Sequence, residues 1–385
     1  MMLRHFLLRG FFTSTTILAF AVNISAQTSK LDLKYSNSIV YAGIEVGSKG
    51  VKMSLLEIGK NPMKNGNFNI LKDTSVNTDF ISFTQPTFQA TLNGLHQFYS
   101  IALTGYNISA DKIFTVVSSG VKTLAEKHDK MKWVTDLSDS FKIRINDSAR
   151  VLSIIDVAEE ARLSHLGIVP ESRRYNTFLI DIGSGNTKGG YFPYGNTKTL
   201  KLFQLSWGTK SVANATEARV GDDKTLTNFS KNLYRVLAGE ANEQIIYEVN
   251  LSGAYNMSDN IAFSGGIAWS VATLMLPEML DNPVVLVTYD EVLKFSEKLN
   301  NNYESLTDAA ILKNISEPSL DKVAIKNEVK RVNKVFDQRS LMAGTALLLK
   351  VMRQFEGVYE KKQFFLVKNG QVGWISAYVN QSVSK

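Results

Sequence analysis

The sequence predicts an α/β protein of two similar lobes that face each other across an anion-binding cleft. Two observations carry this. First, the pattern strand, glycine turn, strand occurs twice, as YAGIEVGSKGVKMSLLEI at 41–58 and FLIDIGSGNTKGGY at 178–191, about 135 residues apart. Both turns carry the order acid-x-Gly-Ser, and an internal duplication at that spacing implies two lobes built alike. Second, 385 residues exceed one ordinary domain, and 44% hydrophobic with 21% charged residues is a globular balance that gives each lobe a core.

The elements follow in chain order. Arg4, His5 and Arg9 precede a short apolar run at 11–22, and Ile24-Ser25-Ala26 offers a small-residue cleavage site before Gln27. Residues 1–26 therefore read as a cleavable export signal, which makes the mature chain periplasmic or secreted. The run is short for a membrane span, and a retained anchor is the alternative. No later segment is a continuous apolar stretch of about 18 residues, so no span is expected after signal removal. With no cysteine after the site, a lipid-anchored mature end is excluded. Residues 27–38 form a polar lead-in. Lobe I is placed at 39–173 and lobe II at 174–385, with the polar stretch 170–176 as boundary.

Within lobe I the first hairpin is followed by a helical periodicity at 88–103 and an apolar strand at 113–117. A helix at 124–137, a strand at 151–157 and a helix start at 159–166 come next. In lobe II the second hairpin is followed by strands at 203–205 and 261–263. These run into the small-residue turns Ser206-Trp207-Gly208-Thr209 and Ser264-Gly265-Gly266. Residues 343–351 form an apolar helix, and the tail from 364 to 379 reads as a hairpin about Asn369-Gly370.

A net charge of +7 favours anionic partners. The absence of cysteine excludes disulfides, a thiolate nucleophile and thiolate metal sites. The four histidines, His5, His96, His128 and His165, show no zinc-ligand spacing. The glycine turns supply what an anion needs. Glycine permits positive φ and close approach, successive amides form a concave anion site, and the Ser48 and Ser184 hydroxyls add donors. Glu45 and Asp181 repel phosphate directly but can hold Mg²⁺ through water, and the ion then neutralises phosphate oxygens. Neither turn is a P-loop or a dinucleotide fingerprint. An ordinary glycine-rich hairpin accounts for one copy; two copies in the same order favour a site.

Two acid-x-Gly-Ser hairpins and a later Ser-Gly-Gly turn resemble the superfamily of actin, hexokinase and the heat-shock chaperone ATPases. That resemblance implies two ribonuclease-H-like lobes of the actin-like ATPase fold, with a phosphate-binding cleft between them. AEEARLSHLGI at 158–168 is similar to the Glu-Glu-Ala-Arg-Leu segment of the exopolyphosphatase and guanosine pentaphosphate phosphatase family. VVSSGVKTLA, LSWGTKSV, AFSGGIAWSVATL and AGTALLLKVM fall in the family's order, and the likeness spans 41–372.

The family removes terminal phosphate from polyphosphate or guanosine pentaphosphate. The resemblance implies that reaction on a phosphate polyanion, with a nucleotide as a further candidate ligand. It makes Glu160 the base that activates water, and Asp181 a catalytic and, with Glu45, a Mg²⁺-holding carboxylate. Phosphate contacts fall to Glu45, Gly47, Ser48 and Lys49 of the first turn, then to Ser119 and Lys122. The second turn adds Gly183, Ser184, Gly185, Asn186 and Lys188. Gly208, Thr209, Ser264, Gly265 and Gly266 complete the set.

This chain departs from the family pattern at four places. Glu45 stands for an aspartate, Lys49-Gly50 for Asn-Ser, and Lys122 for an arginine, losing the bidentate fork. Lys188 stands for a glutamate. It either cancels the metal site or replaces the metal as a phosphate clamp. These departures leave a catalytically impaired binding module of the same fold as the alternative. A kinase is disfavoured by the scarcity of ATP outside the cytoplasm. A nucleic-acid role is disfavoured because the lysines are dispersed without interleaved aromatics. A homodimer is compatible with this reading.

Overall fold

The computed structural model describes residues 31–59, 68–356, 361–368, 370 and 373–383. The export signal expected at 1–26 lies outside them. Two mixed sheets organise the chain. The first contains β1 (Ile39–Val46), β2 (Gly50–Ile58), β3 (Phe68–Asn77), β4 (Ile113–Val117) and β5 (Leu152–Ile154) in the order β3-β2-β1-β4-β5. β1 and β2 pair antiparallel, as do β2 and β3, whereas β4 and β5 join parallel.

The second sheet contains β6 (Thr177–Ile182), β7 (Thr187–Tyr191), β8 (Lys201–Leu205), β9 (Asn260–Ser264), β10 (Val284–Val287) and β11 (Gln363–Val367). Its order is β10-β11-β9-β6-β7-β8. β6, β7 and β8 repeat the antiparallel meander, and β9 and β11 extend it in parallel. The duplication seen in the two hairpins is thus a duplication of sheet topology. β1 and β6 are buried over most of their length, as strands covered on both faces must be.

The helices of the first half are α1 (Gln85–Ser100), α2 (Ser119–Lys127), α3 (Met131–Ile145) and α4 (Val157–Ile168). Thr84 caps α1 in a capping box with Thr87. The single helix expected at 124–137 is two helices. Asp129 sits at φ 54, a left-handed conformation that ends α2 before Lys130 starts the next. Asp156 caps α4 by accepting from the Glu159 amide.

The second half adds α5 (Thr209–Val220), α6 (Leu226–Ala238), α7 (Glu240–Ser252), α8 (Ala254–Met257), α9 (Gly266–Met275), α10 (Tyr289–Asn301), α11 (Asp308–Asn314), α12 (Lys322–Val335) and α13 (Gln338–Glu356). α13 contains the apolar run expected at 343–351. Each half buries its own core, around Phe80 and Phe141 in the first and around Phe178, Phe229 and Phe263 in the second.

The tail departs from the expected hairpin. β11 is a strand, but the chain then forms α14 (Gly373–Val383). α14 packs on α4 and β1, so the end of the segment given to lobe II returns to the first sheet. Two glycines allow this. A Cβ on Gly167 would lie 2.0 Å from the Gly373 carbonyl oxygen, and one on Gly43 would lie 2.6 Å from Ile375 Cγ1. Trp374, Ile375 and Ala377 are buried against Leu163 and Leu166. Among the described residues no helix is long and apolar enough to cross a membrane.

Candidate active site

The turns between β1–β2 and β6–β7 meet at one cleft. The Gly47 amide donates to Gly50 O at 2.8 Å, and the Gly183 amide donates to Asn186 O at 3.0 Å, so the two turns close alike. Among the described residues the Ser48, Lys49, Ser184 and Gly185 amides have no backbone acceptor. The start of α5 braces the second turn, with the Thr209 and Lys210 amides donating to Gly183 O and Ser184 O at 3.0 and 2.7 Å. Gly208 makes room for this contact. A Cβ there would stand 2.6–2.7 Å from three backbone atoms of the turn. The turns face each other closely: a Cβ on Gly120 would lie 3.2 Å from Ser48 Oγ and 3.5 Å from Asn186 Oδ1.

The glycines act through proximity. None of Gly47, Gly50, Gly183 and Gly185 takes a positive φ, so the expected left-handed turn is replaced by tight sheet contact. A Cβ on Gly50 would fall 1.9 Å from Val76 O, and one on Gly183 would fall 2.9 Å from Asn186 O. Gly265, at φ 92, does use glycine's conformational freedom as β9 turns into α9.

Between the turns lies a charged centre. Glu160 is 2% exposed, yet it lines the cleft. Its Oε2 accepts from the Ser119 amide at the start of α2 at 2.6 Å. Its Oε1 lies 2.9 Å from Lys188 Nζ, and that ammonium lies 3.2 Å from Asp181 Oδ2. Ser264 donates to Asp181 Oδ1 at 3.0 Å. Burial by itself would depress the Lys188 ammonium's pKa, but Glu160 and Asp181 more than offset it and raise the pKa above the usual lysine range. Burial pushes the Glu45 carboxyl up; Lys52 opposes that and Glu160 adds to it. Burial, reinforced by Lys210, lowers Lys49.

The carboxylates expected to hold Mg²⁺ do not fit that ion. Asp181 and Glu160 are bridged by the Lys188 ammonium, and Glu45 faces Lys52 Nζ at 3.9 Å. Among the described residues no group of three or more acidic or imidazole side chains converges on a point. One or two carboxylates with water and phosphate are enough to hold Mg²⁺, but here a lysine ammonium stands between the two carboxylates that approach each other.

Of the expected site residues, Glu45, Gly47, Ser48, Lys49, Glu160, Asp181, Gly183, Ser184, Gly185, Asn186, Lys188, Thr209, Gly265 and Gly266 line the cleft. Four do not. Ser119, Gly208 and Ser264 stand behind the wall and hold its parts. Lys122 lies outside the cleft wall and pairs with Glu126 on its own helix at 2.9 Å, because the i,i+4 spacing brings the two together. Sequence reasoning missed Lys52, Trp269, Arg331 and Phe336. Lys52 was legible, since a lysine follows the turn acid by seven residues in both hairpins (45 to 52, 181 to 188). The others come from distant segments. Arg331 reaches across the cleft to Asp73 at 2.7 Å, and Lys49 lies over the Phe336 ring at 4.3 Å.

One turn beyond Glu160, α4 buries His165 against Phe192, with Nε2 3.0 Å from Thr177 O. Burial pushes its pKa down to about 4. A histidine depressed in the folded state binds its proton mainly when unfolded, so the unfolded state holds more protons between about pH 4 and 6.5. Its contribution is therefore fully present above pH 6.5 and lost as pH falls toward 4. The loss is on the order of 3 kcal/mol. Urea midpoints of the wild type should fall more steeply over that window than those of His165→Gln; parallel curves would refute this.

Two α/β lobes of one topology, with twin glycine turns facing across a cleft, define the actin-like ATPase fold. Solved structures of the Ppx/GppA group share it along nearly the whole chain. The Ppx/GppA family member of Aquifex aeolicus superposes with TM-score 0.60 at 15% identity, over 90% of this chain and 98% of that one. The type II variant of the Aquifex aeolicus Ppx/GppA phosphatase gives 0.56 at 14%, over 88% and 99%. An exopolyphosphatase from Cytophaga hutchinsonii gives 0.54 at 12%, over 89% and 98%. No protein-family model and no curated protein matches the sequence. What is shared with these phosphatases is the fold.

Proposed function

We propose that this chain is an exported phosphoanhydride hydrolase that removes terminal phosphate from polyphosphate or a related phosphate polyanion. The observation that carries the reading is the convergence of both glycine turns and Glu160 on one cleft. Four turn amides without backbone acceptors point to an anion as the missing partner. So does Ser184 Oγ, which is buried and has no hydrogen-bond partner.

In this reading the turns cradle the terminal phosphate, and Lys49 and Lys188 offset the charge that builds up. Each Glu160 oxygen keeps a free lone pair beside its present donor. One of these orients a water and takes its proton as the water oxygen attacks phosphorus. The P–O bond to the bridging oxygen breaks, and the shortened polyanion leaves with that oxygen's electron pair. A net charge of +7 draws the substrate in. The first 26 residues direct export, which N-terminal sequencing of the mature protein checks by finding Gln27 first.

A second reading, a non-catalytic binding module, is favoured by one feature: both Glu160 oxygens already accept a hydrogen bond. One experiment separates the two. Phosphate release from tripolyphosphate by the purified mature protein supports the hydrolase. Calorimetric binding without release supports the module. Neither binding nor release overturns both.

A further inference from the structure

Each hairpin carries its own counter-ion at the same place in the sheet. In β1–β2 the register sets Glu45 opposite Lys52, and in β6–β7 it sets Asp181 opposite Lys188. The repeated unit is therefore acid-x-Gly-Ser followed by a lysine on the return strand. Cross-strand neighbours on one sheet face lie close enough for opposite charges to meet. In the second hairpin they do meet, because Lys188 Nζ lies 3.2 Å from Asp181 and 2.9 Å from Glu160. In the first they stand 3.9 Å apart.

Lys188 is 5% exposed and lines the cleft beside the second turn, and a Cβ on Gly183 would lie 3.8 Å from its Nζ. An ammonium has three donors. Two are spent on Glu160 and Asp181, and the third is left for the cleft. Without the two lysines, Glu45, Glu160 and Asp181 would present three negative charges to an incoming phosphate. With them the charges are largely balanced inside the site.

Resting on the phosphate-binding reading above, we propose that Lys188, seconded by Lys52, is a built-in cation that takes the place of a divalent metal, so that the cleft binds phosphate metal-free. Lys188 fixes Glu160 and Asp181 by bridging them and offers its remaining N–H to a phosphate oxygen. Divalent ions are excluded because their site is already filled by a tethered charge.

The test uses Mn²⁺ alone and inorganic phosphate alone, each titrated calorimetrically into the full-length mature protein. Wild type should take up no Mn²⁺ in the cleft, and its phosphate affinity should be the same, within about twofold, in EDTA and in Mg²⁺. Lys188→Glu should gain Mn²⁺ binding at least about tenfold tighter than wild type, because a carboxylate then joins Asp181 and Glu160. Lys188→Gln should weaken phosphate binding about tenfold, and Lys188→Arg should retain most of it.

Wild-type Mn²⁺ uptake that Asp181→Asn abolishes would overturn the proposal, as would phosphate binding that needs a divalent ion. The wild-type titrations decide the matter even where a variant does not fold. If phosphate binds under no condition, the functional reading falls, and the Mn²⁺ comparison still decides what Lys188 does.

Discussion

Glu160→Gln lowers the rate of phosphate release from tripolyphosphate by about 10²–10⁴-fold, the usual worth of a positioned general base. KM should change little, because the turn amides and Lys49, which are proposed to hold phosphate, are untouched. The amide is nearly isosteric and can still accept from the Ser119 amide, the contact that carboxylate makes at 2.6 Å. What is lost is the ability to take a proton from water. The ion pair with Lys188 is lost too, but the ammonium retains Asp181 at 3.2 Å. A kcat that survives the substitution within a few-fold would remove Glu160 from the chemistry.

Gly50→Ala should destabilise the fold by more than about 4 kcal/mol, at the far end of what single substitutions do. The methyl would be driven to within 1.9 Å of Val76 O, a backbone atom of the neighbouring strand. Backbone held in a strand ladder cannot step aside as a flexible side chain can. β2 and β3 must separate there, and the first turn would lose its seat. Gly105→Ala is the control, since its Cβ would meet only Ile101 Cγ2 at 3.7 Å. Urea unfolding of the two variants compares them directly. Equal midpoints would mean that the tight strand contact does not exist in solution.

Much of the architecture is legible in the residues. The twin hairpins announce themselves because apolar strands flank glycine turns, and the structure repeats them as two meanders of one topology. β4 is read to the residue, since IFTVV is a mostly apolar run that is buried at every position but Phe114. The cleft is legible in part for the same reason, as the two turns supply a large share of its wall and distant segments supply the rest. Misreadings fall where distant segments decide. GWISAYV at 373–379 has strand-like composition, yet it forms part of α14 because Gly167 lets that helix settle against α4. Lys122 departs for a local reason, since it lies outside the cleft wall and pairs with Glu126 four residues on in its own helix.

By itself the sequence determined that there are two lobes, where their turns lie, and that acids and lysines accompany them. Those are facts of periodicity and spacing, which short-range geometry dictates. Only the tertiary structure decided which charge meets which. Lys188 could have faced an open cleft, but the sheet register and the N-terminus of α4 bring Asp181 and Glu160 to the same ammonium. Coulomb attraction in a buried site depends on distances of a few ångströms between segments far apart in the chain, and such distances exist only once the chain has folded.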